Sequence, residues 1–504
     1  MVRHQNAYLT YRQLQECVEA VARGLAGLGL NAGDRIGVWA SGCLEWVLVF
    51  LACARTGIVQ VNVNPAYRSQ DLGFVLRKSK IKALFLHARD PRADYRQILA
   101  EAVAGQDLPL EHTIYLGEES WAEMLAHGVN VPAIKITPHD VYNIQYTSGT
   151  TGSPKGVLLT HHNILNNAWA MCQCMNFTEA DRVCDCFPLY HCAGCVLGIL
   201  SCLLSGATLI LAAPQFDSGK ALEAIETEKA TVLMGTPTMF ISQLGHPQFR
   251  RFDLTSLQKG AMGGAPCPID IMKRVTDEMH CRNLHVIYGQ TESSPLITMS
   301  GPGDSLEQRV STIGCPIPNV EVKIVSPLTG ETLPIAEQGE LCTRGYHVMK
   351  GYDEAPDATE RAIDADGWLH TGDLATMRPD GHFRITGRSK DMIIRGGENI
   401  YPREVEDFLY SHPKVMEVQV VGLPDAKHGE IVLAWIRLKA GASCCEKEIR
   451  DFCESKIAYF KIPEYIRFVE SFPMTVSGKV QKFKIREQEI RERNLEDVTR
   501  IQTA

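Results

Sequence analysis

The stretch YTSGTTGSPKG, residues 146–156, gathers the hydroxyls of Thr147, Ser148, Thr150 and Thr151, three glycines and the ammonium of Lys155. Hydroxyls, free backbone N–H groups and one cation in a pliable turn are what wraps a polyphosphate. A P-loop would need Gly, four residues, then Gly-Lys-Ser/Thr, so that the lysine reaches the β/γ-phosphates and the hydroxyl ligates magnesium. Counted from Gly149, Pro154 stands where the second glycine belongs and Gly156 follows Lys155, so the pattern fails twice. It fails in context too. NIQYTS before the loop and VLLT after it both read as strand, so the loop joins two strands instead of opening a helix. Taken alone, such a loop is more often a Gly/Ser surface turn; the rest of the chain decides otherwise.

Four further stretches carry chemistry. YGQTE, 288–292, follows the apolar run LHVI and so lies at a strand's carboxyl end, where open α/β sheets place ligands. There the face of Tyr288 can stack on a base and the Thr291 hydroxyl can meet a phosphate. Glu292 suits a magnesium held by few protein ligands and by substrate phosphates. HTGD, 370–373, offers Asp373, whose two oxygens can accept both hydroxyls of a ribose, although Gly-Asp is also ordinary turn chemistry. In GRSKDMIIRGGENIYPREVE, 387–406, Arg388 and Arg395 are cations for phosphate, and Gly396 and Gly397 allow close backbone approach to a ligand. Pro402, Glu404 and Glu406 then begin a helix. PMTVSGKVQK, 473–482, presents Lys479 from a Ser-Gly turn, an ammonium deliverable to a developing negative charge.

These residues need rigid elements to hold them. Up to about residue 300 short apolar runs (DRIGVWA, VQVNV, KALFLH, TIYLG, VLLT, ATLILAA, ATVLMGTP, LHVIYG) alternate with helical stretches, which predicts doubly wound parallel sheets. From about 301 to 386 turn residues become dense around VEVKIV, GELCTRG and HFRITGR, predicting a small antiparallel β unit. Beyond GRSKDMI the pattern is a compact α+β module. The expected fold is therefore α/β, with a large domain over 1–389 (two doubly wound sheets and a small β-barrel) and a small mobile α+β domain over 390–504. The uncharged run 192–214 is long enough to span a bilayer, but Ser205-Gly206 cuts it into a helix-length and a strand-length half, so a buried helix and strand are expected.

Composition narrows the function. Acidic residues outnumber basic ones, 59 to 51, for a net charge of -8 and no basic stripe, which argues against a dedicated nucleic-acid binder. Seventeen scattered cysteines without a secretory leader predict a reducing, cytoplasmic interior. Cys192 and Cys195 form one CxxC that no second CxxC completes, so buried small hydrophobes are expected there.

The order YTSGTTGSPKG, YGQTE, HTGD, GRSKDMI, SGK resembles the adenylate-forming superfamily of acyl-CoA synthetases, luciferases and peptide-synthetase adenylation domains, over nearly the whole chain. PLYHCAG, MGTPTMF, GGAPCP and VNVNPAYR look most like its medium- to long-chain fatty acyl-CoA ligases. The resemblance implies that a carboxylate and ATP give acyl-AMP and pyrophosphate, and that CoA then displaces AMP. It makes Thr147, Ser148, Thr150, Thr151 and Lys155 the grip on the β/γ-phosphates. Tyr288 and Gly289 belong to the nucleotide motif, with Gly264 and Ala265 on the other side of the adenine. Thr291 falls to the α-phosphate, Glu292 to Mg2+, Asp373 to the ribose with Arg388 nearby, and Lys479 to the carboxylate and α-phosphate in the first step. Lys390 becomes the hinge, and Gly396 and Gly397 reach the pantetheine tunnel. His191 stands beside the acyl carbonyl, and Met234, Gly235 and Thr236 line the acyl pocket.

The implied partners are therefore small molecules: ATP, CoA and a carboxylic acid, with Mg2+ as cofactor and neither nucleic acid nor a membrane span. Peripheral membrane contact and a homodimer stay open. No aspartate lies between Cys192 and Phe216 to hold a substrate amino group, so a fatty acid is favoured, with an aryl-CoA ligase or an acyl-AMP ligase loading a carrier protein as alternatives. Relative to this family the segment AYLTYRQL comes early, and the first part of the chain is expected to be short.

Overall fold

The structure, a computed structural model, describes residues 2–4, 7–90, 93–147, 154–265, 267, 269–388, 391–395, 398–425, 427–454, 456–474 and 480–495. Its contacts group into two compact units, one of Met1–Val322 with Thr343–Leu369, the other of Lys323–Cys342 with His370–Ala504. Residues 323–342 and 370–389 thus group with the C-terminal part. A pivot at Lys390 is a separate matter, and Lys390 lies outside the described residues.

The first unit holds two large sheets, as the alternation of apolar runs and helices requires. One runs in the order Gly351–Tyr352, Lys155–Thr160, Val141–Thr147, Val59–Asn62, Arg35–Trp39, Ala83–Leu86, His112–Tyr115. Its last five strands are parallel neighbours and its first two pairings antiparallel. The other sheet runs Cys315–Pro316, Leu296–Met299, Asn283–Gly289, Lys259–Gly263, Val232–Gly235, Arg182–Asp185, Thr208–Leu211, Val2–His4, Ala7–Leu9. Its five pairings from Asn283–Gly289 through to Val2–His4 are parallel, and the pairings flanking them are antiparallel. Strands of a parallel sheet are covered on both faces, which is why ALFL, TLIL and VLMG are buried at every position.

The apolar run after residue 192 folds as its composition predicts. Ala193–Leu200 is a π-helical stretch continued by an α turn, Ser201–Ser205. Gly206, at φ 74°, ends the helix in the left-handed region, and Thr208–Leu211 follows as a strand. No helix among the described residues is long and apolar enough to cross a membrane. Cys192 and Cys195 are fully buried, and burial pushes the Cys195 thiol far above its ordinary range.

A four-stranded sheet is ordered Val320–Val325, Gln338–Gly345, Leu369–Met377, Phe383–Arg388, of which residues 323–325, 338–342, 370–377 and 383–388 belong to the second unit. Further on, Val415–Asp425 and Gly429–Leu438 form an antiparallel hairpin with Tyr465–Phe468 parallel beside it. Side chains of a strand alternate between faces. Accordingly Val418, Val420, Val432, Ala434 and Ile436 join one apolar cluster, and Val421, Leu423, Ile431, Leu433 and Trp435 join another. The helix Pro402–Tyr410 begins at the expected proline, and the helices Glu446–Cys453 and Lys482–Glu492 complete the α+β pattern.

Candidate active site

In the first unit the site is built on the carboxyl ends of three adjacent parallel strands. Register sets Gly235 beside Met262, and Gly263 beside Ile287. Past these ends lie Thr236, the cap of the helix Pro237–Leu244, then Gly264 at φ +81°, then the short turn Thr291–Ser293. Met234, Gly235 and Thr236, Gly264 and Ala265, and Tyr288 to Glu292 therefore emerge side by side from one sheet edge. Glycine is required at Gly289 by close approach, since a Cβ there would stand 1.8 Å from the Pro295 carbonyl oxygen. The wall beside Gly235 is apolar: a Cβ on it would meet Met239 Sδ at 3.4 Å and Cys186 Cβ at 3.5 Å.

One thiol connects His191 to Thr291. Cys192 Sγ lies 3.7 Å from His191 Nδ1 and donates to Thr291 Oγ1 at 3.8 Å. His191 Nδ1 also accepts the Ala193 N–H at 3.1 Å, which leaves Nε2 to carry the ring proton in the neutral imidazole. Thr291 is 8% exposed.

A buried amide ladder supports the same turn. Gln145 donates to Asn143 Oδ1 at 2.7 Å, Asn143 to Asn62 Oδ1 at 2.9 Å, and Asn62 to the Tyr190 carbonyl at 3.0 Å. Gln145 also donates to Cys195 Sγ at 3.4 Å. The strand Val141–Thr147, which leads into the phosphate loop, is thereby tied to the turn bearing His191. Thr147 pairs with Lys155 across an antiparallel ladder, so the loop does join two strands. Ser148, Thr150 and Thr151 lie outside the described residues.

Glu292 has a partner that the sequence did not suggest. Tyr352 donates its hydroxyl to Glu292 Oε1 at 2.9 Å, and Lys155 Nζ sits 4.8 Å from the centroid of the same ring. Burial and the Glu292 carboxylate together hold the Tyr352 phenol protonated far above its ordinary range. Tyr352 is placed by its pairing with Val157 and by Thr359, whose Oγ1 accepts the Tyr352 N–H at 2.9 Å. A half-buried carboxylate with one oxygen already ordered is the donor set that a magnesium shared with phosphates takes.

In the second unit Asp373 and Arg388 face each other in register, and Arg388 Nε donates to Asp373 Oδ1 at 2.9 Å. The HTGD stretch lies within the strand Leu369–Met377, not in a turn; Gly372, at φ +71°, precedes Asp373 in it, and its N–H donates to Glu340 Oε1 at 2.9 Å. Arg395 is committed elsewhere: it donates to the Phe460 carbonyl at 3.1 Å and pairs with Glu464 at 2.9 Å, so it is a structural cation and not a ready phosphate donor. Lys390, Gly396, Gly397 and Lys479 lie outside the described residues.

Tyr352, Glu340, Asn62 and Cys192 were missed by sequence reasoning. GY at 351–352 and GE at 339–340 are ordinary dipeptides, and only the register of distant strands gives them a role.

The model of the AMP-binding enzyme family matches residues 1–353, and that of the AMP-binding enzyme C-terminal domain matches residues 404–479. The chain belongs to the AMP-binding enzyme family, and within it stands among the AMP-forming acyl-CoA synthetases. It is 47% identical over 516 residues to the putative acyl-CoA synthetase YngI of Bacillus subtilis (strain 168), covering 97% of this chain and 94% of that protein. It is 43% identical over 524 residues to the mitochondrial medium-chain acyl-CoA ligase ACSF2 of Homo sapiens, covering 98% and 85%. Among solved structures, ATP-bound MatB from Rhodopseudomonas palustris superposes with a TM-score of 0.87 at 29% identity, covering 97% and 95%. The anthranilate CoA ligase AuaEII in complex with anthranoyl-AMP gives 0.88 at 26%, covering 97% and 93%.

Proposed function

We propose that the protein joins a medium- or long-chain fatty acid to CoA through an acyl-adenylate, releasing AMP and diphosphate. The observation that carries this reading is the Cys192 thiol, which sets His191 and Thr291 one side chain apart. A histidine for the acyl carbonyl and a hydroxyl for the α-phosphate are the two groups an acyl-adenylate needs close together.

In the first step a carboxylate oxygen attacks the α-phosphorus of ATP and the bond to diphosphate breaks. Thr147, Ser148, Thr150, Thr151 and Lys155 hold the departing β/γ-phosphates. Tyr288 and Gly289 on one side and Gly264 and Ala265 on the other flank the adenine, and Asp373, oriented by Arg388, takes the ribose hydroxyls. Lys479 neutralises charge as it builds between the carboxylate and the α-phosphate. Glu292 would hold Mg2+, which supplies charge neutralisation on the phosphates when bound. In the second step the CoA sulfur attacks the acyl carbonyl carbon and AMP departs with the electron pair of the broken C–O bond. A thiol must reach the carbonyl from a side the first arrangement does not serve, so a pivot at Lys390 that brings Gly396 and Gly397 to the pantetheine arm separates the steps.

An aliphatic chain suits the apolar wall of Gly235, Cys186 and Met239, and the similarity to the medium-chain acyl-CoA ligase ACSF2 favours medium length. Free, largely buried thiols suit a reducing compartment, for which we propose the cytoplasm. The test is diphosphate release with carboxylates of graded chain length and with aryl acids, each with and without CoA. CoA-dependent turnover peaking at an aliphatic length is expected. An aryl optimum, or CoA-independent turnover with stable acyl-AMP, would replace this reading.

A further inference from the structure

We propose that Glu340, Cys342 and His370 form a binding site for a zinc-class divalent cation in the second unit. Glu340 and Cys342 stand two residues apart on the strand Gln338–Gly345, so both project from one face. His370 comes from the neighbouring strand Leu369–Met377. Its Nδ1 lies 2.9 Å from Glu340 Oε2 and 3.4 Å from Cys342 Sγ, and the three ligand atoms all lie within 4.8 Å of one another. Zinc bonds of about 2.0–2.3 Å in a tetrahedral set put ligand atoms roughly 3.3–3.7 Å apart, so the ion enters by side-chain shifts of about half an ångström.

The donor types choose the metal. A thiolate, an imidazole and a carboxylate are zinc's ligands, whereas magnesium and calcium take oxygens. The ligands are also held from behind: the second oxygen of Glu340 accepts the Gly372 N–H at 2.9 Å, and Thr371 Oγ1 donates to the Leu341 carbonyl at 2.7 Å. Cys342 is buried while the side chains of His370 and Glu340 are 32% and 18% exposed, so the trio has an approach for the ion and room for a fourth, water ligand. On binding, the Cys342 thiol proton leaves to solvent and the His370 ring proton moves from Nδ1 to Nε2, so affinity rises with pH.

The other converging trio, His412, Cys444 and Glu448, lacks these properties. Lys414 Nζ already pairs with Glu448 at 2.8 Å, and the Lys414 N–H donates to His412 Nδ1 at 3.2 Å. The proton therefore sits on Nε2, the nitrogen facing Glu448 at 3.8 Å, and a metal would have to displace both it and an ammonium.

Because Glu340 also accepts the Gly372 N–H, occupancy of the site would be felt at Asp373, the next residue of the strand Leu369–Met377. That consequence rests on the ribose role proposed for Asp373; metal binding does not. The test uses the full chain, stripped with a chelator and titrated with Co2+ alone. One Co2+ per chain with a thiolate-to-cobalt charge-transfer band is expected, displaced by Zn2+. With seventeen cysteines present, the band is read as a difference against Cys342→Ser, in which it disappears. His370→Gln and Glu340→Gln lower Co2+ affinity about tenfold or more. Zn2+ raises the thermal midpoint of the parent protein and not that of the variants. A band unchanged in Cys342→Ser overturns the site. Should that variant fail to fold, undiminished Co2+ affinity in His370→Gln overturns it equally.

Discussion

The hydroxyl of Tyr352 donates to Glu292 at 2.9 Å while Lys155 rests over the face of the same ring. One side chain therefore orders both the carboxylate proposed for Mg2+ and the cation proposed for the departing phosphates. Tyr352→Phe keeps the ring and removes the donor. Loss of such an outer partner typically costs 10–100-fold in metal affinity, so the Mg2+ concentration for half-maximal diphosphate release should rise about tenfold or more. Calorimetric Mg2+-ATP binding should weaken in parallel, and Tyr352→Leu should add a loss in ATP affinity. An unchanged Mg2+ dependence would show that Tyr352 only packs.

Lys479 is proposed to act in one half-reaction. Removing a donor aimed at developing charge costs about 10² to 10³ in rate, so Lys479→Ala should slow adenylate formation by that factor. Thioester formation from supplied acyl-AMP and CoA should stay close to the parent rate. Equal losses in both half-reactions would remove the role assigned to this lysine.

What could be read from the sequence, and what could not, divides along a physical line. Periodicity and turn chemistry are local, so the strand–loop–strand at Thr147 and Lys155, the break at Gly206 and the hairpin Val415 to Leu438 were all foreseeable. The apolar run LHVI placed Thr291 and Glu292 past a strand's carboxyl end, where Asn283–Gly289 and the turn Thr291–Ser293 put them. The partners of these residues depend on which strands lie side by side. Tyr352 is 60 positions from Glu292, and Asn62 is 128 from Tyr190. Arg395 shows the converse: it was read as a phosphate cation, yet Glu464, 69 positions on, has claimed it. A charge in a motif cannot reveal a partner that only the fold supplies.

The amide ladder should matter to the acyl side of the site. Asn62 is buried, and replacing it with Leu removes the hydrogen bond it donates to the Tyr190 carbonyl and those it accepts from the Asn143 and Gln60 side-chain amides. An unsatisfied buried polar group costs about 1–3 kcal/mol, a loss that urea unfolding should detect. Because the Tyr190 carbonyl precedes His191, the KM for the acid should rise while that for ATP changes little. Equal changes in both would make the ladder a general support and not one for the acyl side.

Acid should destabilise the first unit through two buried histidines. Burial lowers His285 to about 4 and His347 to about 3, and the free imidazole titrates near 6.5. As pH falls below about 6.5 the unfolded chain takes up protons that the folded one refuses, so stability falls until the folded values are reached. His347→Gln should flatten this decline, measured as the urea midpoint between about pH 6.5 and about pH 4.5.

Asp185 should act at the opposite end. It is 6% exposed; its Oδ1 accepts the Phe187 N–H at 3.0 Å, while Oδ2 is buried without a hydrogen-bond partner. The lack of room for a larger neighbour is plain at Gly198, where a Cβ would stand 1.9 Å from that oxygen. Burial pushes the carboxyl well above its ordinary range, which favours its neutral form in the folded state. Below the ordinary value of about 3.9 both states are protonated and the group contributes nothing to the pH dependence. Above it the unfolded chain releases the proton and the folded chain retains it, so stability declines with rising pH by up to about 1.4 kcal/mol per unit. Asp185→Asn cannot ionise and fits the same space. Its stability relative to the parent protein should therefore improve as pH rises above the ordinary carboxylate value of about 3.9, read as the difference in urea midpoints. A difference that does not vary with pH would mean that Asp185 is ionised in the folded protein.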